Sequence, residues 1–186
     1  MENSEDRSRF IENLDYFSIV YRIDGEKIII GNPSTIFDHV DLDNSRVTSI
    51  PDNVIFINEG NLWLNKVTKI GENVSFENDG FINLESLSSD LPASTEFKNR
   101  GWIDLRKLTK LNPGTKFENS KGVYLLSIKS DDVPDDVSFL NRGTISFRDF
   151  NSNELENEDE AFVLPNIRRG MLMNLMRKRN LLHQPG

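Results

Sequence analysis

Phenylalanine returns along this chain at a nearly fixed interval. Phe56, Phe76, Phe97, Phe117 and Phe139 stand 20, 21, 20 and 22 residues apart. A period of that length marks a solenoid, in which each turn buries its apolar side chains against the turns above and below. Two residues after each phenylalanine comes an asparagine, at Asn58, Asn78, Asn99, Asn119 and Asn141. A glycine follows two further on, at Gly60, Gly80, Gly101 and Gly143, with Lys121 as the exception. An apolar pair closes the series: Leu62/Leu64, Ile82/Leu84, Ile103/Leu105, Val123/Leu125 and Ile145/Phe147.

Within one coil, such as Phe76 to Pro92, Phe76, Asn78, Gly80, Ile82 and Leu84 alternate with period two. That spacing places them on one face of an extended segment, with the apolar residues inward and the intervening residues outward. Leu87 and Leu91 bring a second side of the coil back to the core, and Pro92 punctuates the turn. An inward asparagine must find partners for its amide, which predicts a ladder stacked from coil to coil. The glycines mark bends where a Cβ would clash or where φ is positive. Lys121 predicts a local irregularity in the fourth coil.

The first coil carries a family resemblance. Val40 to Pro51, VDLDNSRVTSIP, resembles a leucine-rich repeat, with Val40, Leu42, Val47 and Ile50 at the apolar positions and Pro51 at the proline. Ser45 stands where that family places asparagine, with Asn44 one residue early. Later coils shorten the motif by two residues. The resemblance covers residues 34–150 and implies a mainly β repeat solenoid, either leucine-rich-repeat-like or β-helix-like in its coils. It also implies a strand face that docks a protein target.

The flanks read as caps. Residues 1–33 form an N-terminal cap: a helix starting at Asn3 or Ser4, with Phe10, Ile11, Leu14 and Phe17 on one face, then a β-hairpin of Ile19–Ile23 and Lys27–Ile30 around Asp24-Gly25. Residues 34–150 form the solenoid, of about six coils. Residues 151–165 are an acidic linker. Residues 166–186 are a basic amphipathic helix, with Ile167, Met171 and Leu175 on one face beside Leu172 and Met176. That helix is expected to close the last coil, or else to serve as a partner-binding or homo-oligomerisation arm.

The formal charge of -8 is divided unevenly: -3 over residues 1–31, -5 over the middle and zero over residues 151–186. Direct nucleic-acid binding is disfavoured, since phosphate contacts need clustered bases. An acidic solenoid suits a basic protein surface, or imitates nucleic acid and blocks an enzyme that binds DNA or RNA. No apolar run approaches the roughly 18 residues needed to span a bilayer, and the N-terminus lacks an apolar signal core, so a cytoplasmic protein without membrane contact is expected. With no cysteine and only His39 and His183 as histidines, far apart in sequence, no catalytic, cofactor or metal motif is legible. Asp41, Asp43 and Asn44 lack the glycine and glutamate of a calcium loop, and Asp131, Asp132, Asp135 and Asp136 read as a solvated turn. The expectation is a non-enzymatic protein without cofactor or metal.

The letters that do not repeat carry the functional expectation. Outward positions of the strand series hold Trp63, Asn83, Asp104, Tyr124 and Ser146, and in the neighbouring outward row Asn61, Phe81, Trp102, Gly122 and Thr144. Trp63, Phe81, Trp102 and Tyr124 thus share one sheet face, bordered by Asn83, Glu85, Asp104, Arg106 and Arg148. Exposed aromatics with a polar rim resemble a protein-binding hot spot. The reading is an inhibitor or adaptor, of bacterial or phage type, that binds a protein partner through this face. Carbohydrate binding, with sugar rings stacked on the aromatics, is a further alternative.

Overall fold

The computed structural model describes residues 4–31, 39–149 and 162–163. The chain begins with helix α1 (Ser4–Tyr16), whose first turn carries Glu5 and Asp6, where the helix dipole favours acids. Phe10 and Leu14 of α1 are buried in the common core. The helix is tied to the first coil by the Arg46 N–H, which donates to the Asn13 side-chain oxygen at 3.4 Å.

A hairpin follows, β1 (Tyr21–Asp24) and β2 (Lys27–Ile30), with Asp24 opposite Lys27. The turn is therefore Gly25-Glu26, one residue later than Asp24-Gly25, because Gly25 takes the left-handed φ of 58° that the first central position requires. Then come β3 (Val40–Asp41), β4 (Ser49–Ile50), β5 (Val54–Asn58), β6 (Leu62–Trp63), β7 (Lys69–Ile70), β8 (Ser75–Asn78) and β9 (Ile82–Asn83). The series continues with β10 (Glu96–Asn99), β11 (Trp102–Asp104), β12 (Lys116–Asn119), β13 (Gly122–Leu125), β14 (Ser138–Asn141), β15 (Thr144–Phe147) and β16 (Phe162–Val163).

These strands wind into a β-solenoid of about five turns, and each coil has three sides. The first sheet runs β1-β2-β5-β8-β10-β12-β14-β16, parallel from β2 to β14 and antiparallel at both edges. The second sheet runs β15-β13-β11-β9-β6-β3, parallel throughout. The third side is thinner: β4 pairs with β7, and Leu91 bridges Leu111. The hairpin does more than cover the first coil, since β2 supplies the first parallel rung of the first sheet through Ile30 opposite Phe56. Phe162–Val163, inside the stretch read as a linker, pairs with β14. The expected helix over 166–186 lies outside the described residues.

Inside the coils the repeating letters form continuous columns. The five phenylalanine rings stack face to face at centroid distances of 5.0, 4.8, 5.0 and 4.8 Å, within 4° of parallel. Beside them runs the asparagine ladder. Asn58 Nδ2 donates to Asn78 Oδ1 at 2.8 Å, Asn78 to Asn99 at 3.0 Å, Asn99 to Asn119 at 3.1 Å and Asn119 to Asn141 at 3.0 Å. A buried amide without a partner costs about 1–3 kcal/mol, so each rung holds the next in register. The ladder passes Lys121 unbroken, with Asn99, Asn119 and Asn141 paired in order, and the fourth coil departs from its neighbours instead at Ser130–Asp132, which makes a 3-10 turn. The glycines answer to close approach: a Cβ on Gly101 would lie 2.0 Å from the Gly80 carbonyl oxygen.

The corner before the first sheet uses left-handed residues instead, Asn53 at φ 60°, Asn73 at 56° and Gly114 at 82°. In the first coil Val40, Leu42, Val47 and Ile50 are buried, as the repeat motif requires. Ser45 is buried with them. Its hydroxyl donates to the Leu42 carbonyl and accepts the Val47 N–H at 3.0 Å, so it fills the two-residue-longer turn that later coils lack.

Candidate functional site

The outward face of the second sheet is built by register. Asp41, Trp63, Asn83, Asp104, Tyr124 and Ser146 lie side by side on successive strands, all pointing away from the core. Trp102, Gly122 and Thr144 form the neighbouring row. Inward Leu62, Ile82, Ile103, Val123 and Ile145 anchor those strands, all buried.

The four aromatics do come together, but as two pairs. Trp63 and Phe81 meet edge to face, with centroids 5.4 Å apart and planes at 68°. Trp102 and Tyr124 stack at 5.2 Å and 8°. All four rings are half-buried. The second pair exists because of a glycine: a Cβ on Gly122 would sit 2.0 Å from Trp102 Cζ3, so the indole occupies the space a side chain would fill. Sequence reasoning placed Gly122 in the outward row without seeing this role. The signal was present, since glycine replaces a side chain there in the coil next to a tryptophan.

Asn83 and Asp104, expected to border the aromatics as exposed polar groups, point outward yet are buried, Asp104 to 1% exposure. Asp104 lies in register between Asn83 and Tyr124, and Arg106 folds back over it. Arg106 Nε donates to both carboxylate oxygens at 2.9 and 3.0 Å, its terminal nitrogen makes a further contact, and the Arg106 N–H donates to Oδ1 at 3.1 Å. The hydrogen bond to Asp104 raises the Arg106 pKa above its ordinary value, with the attraction of the carboxylate adding to it. Asn83 caps its strand the same way, its Oδ1 accepting the Glu85 N–H at 3.1 Å. Arg106 and Arg148 are exposed and Glu85 is half-buried, so these three supply the polar border.

Toward the first coil the face turns acidic. Asp43 accepts the Asn65 N–H at 2.7 Å, and burial pushes its carboxyl above the usual range against that hydrogen bond. His39 belongs to the scaffold: its Nδ1 accepts the Asn61 N–H at 2.9 Å, and the Asn61 side chain accepts the Phe81 N–H in turn.

Elsewhere Ser130–Asp132 makes one 3-10 turn, and the Ser130 N–H donates to Asp149 at 2.8 Å. Among the described residues no group of three or more His, Cys, Asp or Glu is arranged to hold a metal ion. No helix among them is long and apolar enough to cross a membrane. Comparison of the chain with protein-family models, with curated proteins and with solved structures finds no match in any of the three.

Proposed function

We propose that the chain is a non-enzymatic protein-binding module, an inhibitor or adaptor, whose contact surface is the aromatic face of the second sheet. The observation that carries this reading is the pair of half-buried ring clusters, Trp63/Phe81 and Trp102/Tyr124, fixed on a rigid parallel sheet and bordered by Arg106, Arg148 and Glu85. Pre-positioned aromatics with a charged border match the anatomy of protein hot spots, where little side-chain entropy remains to be lost on docking.

A protein target fits better than a sugar. Stacking on a sugar needs a free ring face, whereas Trp102 lies over Gly122 and stacks on Tyr124. Nucleic-acid mimicry draws no support from the first sheet, whose outward acids are interleaved with bases: Glu77, Lys98 and Glu118 stand in one row. The leucine-rich-repeat kinship is part of the proposal and rests on Val40–Pro51.

The chain contains two tryptophans, both on the proposed contact face, so intrinsic fluorescence reports directly on its occupancy. The test is affinity capture from host lysate with the full chain and with Trp102→Ala/Tyr124→Ala, followed by a fluorescence titration of any captured protein. Loss of capture by a variant that retains its circular dichroism is expected, together with a shifted tryptophan emission for the parent. Equal recovery by the folded double variant would defeat the reading.

A further inference from the structure

The second surface that stands out is the open edge of the first sheet at β1. In an antiparallel pair, residues alternate between those that exchange backbone hydrogen bonds with the partner strand and those whose N–H and C=O point away from it. The Gly31 N–H donates to the Val20 carbonyl at 2.8 Å, and Tyr21 lies opposite Ile30. Val20, Arg22 and Asp24 therefore bond to the hairpin's other strand. On β2 the alternate residues turn to the next coil, as the Ile28 N–H does in donating to Asn53 O at 3.0 Å. On β1 the corresponding residues are Tyr21 and Ile23, and β1 has a strand on one side only among the described residues. Their backbone groups face outward along an edge that no described strand pairs.

Apart from Tyr21, whose hydroxyl donates to Asp15 at 2.9 Å, the side chains at that edge are exposed. Ile23 is 55% exposed although it lies opposite the fully buried Ile28, on the core side of the sheet. Tyr16, Val20 and Ile23, three of the five large hydrophobic side chains exposed among the described residues, gather at this end. Arg22 and Asp24 are exposed on the opposite face of the strand, and neither makes an ion pair among the described residues. Open edges invite strand addition, and charged residues on them select what is allowed to add.

We infer that β1 is a self-association edge, at which a second copy of this chain adds its own β1 antiparallel about a two-fold axis through Ile23. That register follows from two constraints. Among the described residues of β1 only Tyr21 and Ile23 offer free backbone groups, so the axis must pass through one of these or through Arg22 between them. An axis at Arg22 sets the two guanidinium groups against each other. An axis at Tyr21 leaves the charges unmatched and uses Ile19, whose N–H is already committed to the Leu14 carbonyl at 2.9 Å. An axis at Ile23 gives two bonds between the paired Ile23 residues and buries their side chains together. It also places Arg22 of each copy opposite Asp24 of the other, twice over by symmetry. The result is one sheet continuous through both copies, with the aromatic faces of both left free.

The test is analytical ultracentrifugation of the full chain over roughly 10 to 500 µM, the range in which a small strand-pairing interface associates. A concentration-dependent monomer–dimer equilibrium is expected. Ile23→Lys, Arg22→Asp and Asp24→Arg should each weaken it by about 10-fold or more, whereas the double variant Arg22→Asp/Asp24→Arg should recover it, because the exchanged charges meet again across the axis. Melting curves for each variant separate unfolding from dissociation, and recovery in the double variant is an outcome that misfolding cannot produce. A monomer throughout the range, or a dimer indifferent to all three single substitutions, would overturn the inference. The second result would move self-association to another surface such as 166–186. Capture of an extended peptide by a strictly monomeric chain would equally overturn it.

Discussion

The two large sheets of the solenoid are made by the same repeat and stand on the same core, yet their outer faces differ in how they meet water. On the first sheet the outward charges are answered across coils: Lys116 with Glu96, Arg100 with Asp79, and Glu77, Lys98 and Glu118 in alternation. Those partners are well exposed, 62% and 41% for Lys116 and Glu96, so each pair does little for stability and mainly keeps the face wet and balanced. On the second sheet aromatic pairs flank a carboxylate that points outward and is nonetheless buried. One face is finished by solvent; the other is organised by its own side chains and holds apolar surface ready for contact.

If both faces depend on one interior, damage to that interior should remove the contrast altogether. Phe97→Ala, in the middle of the ring column, should cost about 3–5 kcal/mol. Circular dichroism should follow the sheets and tryptophan emission the aromatic face. Their urea transitions should remain superimposed, and separate transitions would show that the faces melt independently.

Two substitutions on the second sheet sharpen the comparison. Arg106→Ala strips the ion-pair cover from buried Asp104 and should cost about 1–3 kcal/mol by urea denaturation. Gly122→Ala should cost about 1–2 kcal/mol by displacing the indole from its place beside Tyr124, with a visible change in the emission of the folded protein.

Asp43→Asn should act in the opposite direction. Burial raises the folded pKa of Asp43, so its charged form opposes folding at neutral pH, and that penalty disappears as pH falls below the ordinary aspartate range. The variant should therefore melt slightly higher at pH 7, by less than about 1 kcal/mol, with the advantage fading toward pH 4. Lys116→Ala on the first sheet should have the least effect, below about 0.5 kcal/mol, and leave the emission untouched.

The interior was legible in the sequence because period two within a coil and a period of 20 to 22 between coils leave one inward face, and the phenylalanine and asparagine columns fill it. The hairpin's place as the first rung was harder to read, since Ile30 stands where later coils carry phenylalanine. Its signal was Asn32, two residues after Ile30 as Asn58 follows Phe56. The outer aromatic face was placed correctly by alternation, but the depth of its polar members was not. Period says which way Asp104 points. It does not say that Arg106, two residues on, turns back over it, because alternation fixes the face a side chain leaves from and not the rotamer it takes. The Trp102–Tyr124 stack likewise depends on what Gly122 leaves out, a relation across coils with no local pattern.

The asparagine column has a direction. Asn58, Asn78, Asn99 and Asn119 each give a hydrogen to the amide of the following coil, and Asn141, which receives the last of them, donates within its own coil to the Gly143 carbonyl at 2.6 Å. At the opposite end Asn58 Oδ1 is buried and unpartnered among the described residues. The two ends of the column are thus chemically unlike, one asking for a donor and the other for an acceptor. Whole coils can be duplicated or deleted head to tail without disturbing this vector, whereas a coil joined in reverse would set acceptor against acceptor. Length is a free variable for this architecture, and polarity is not.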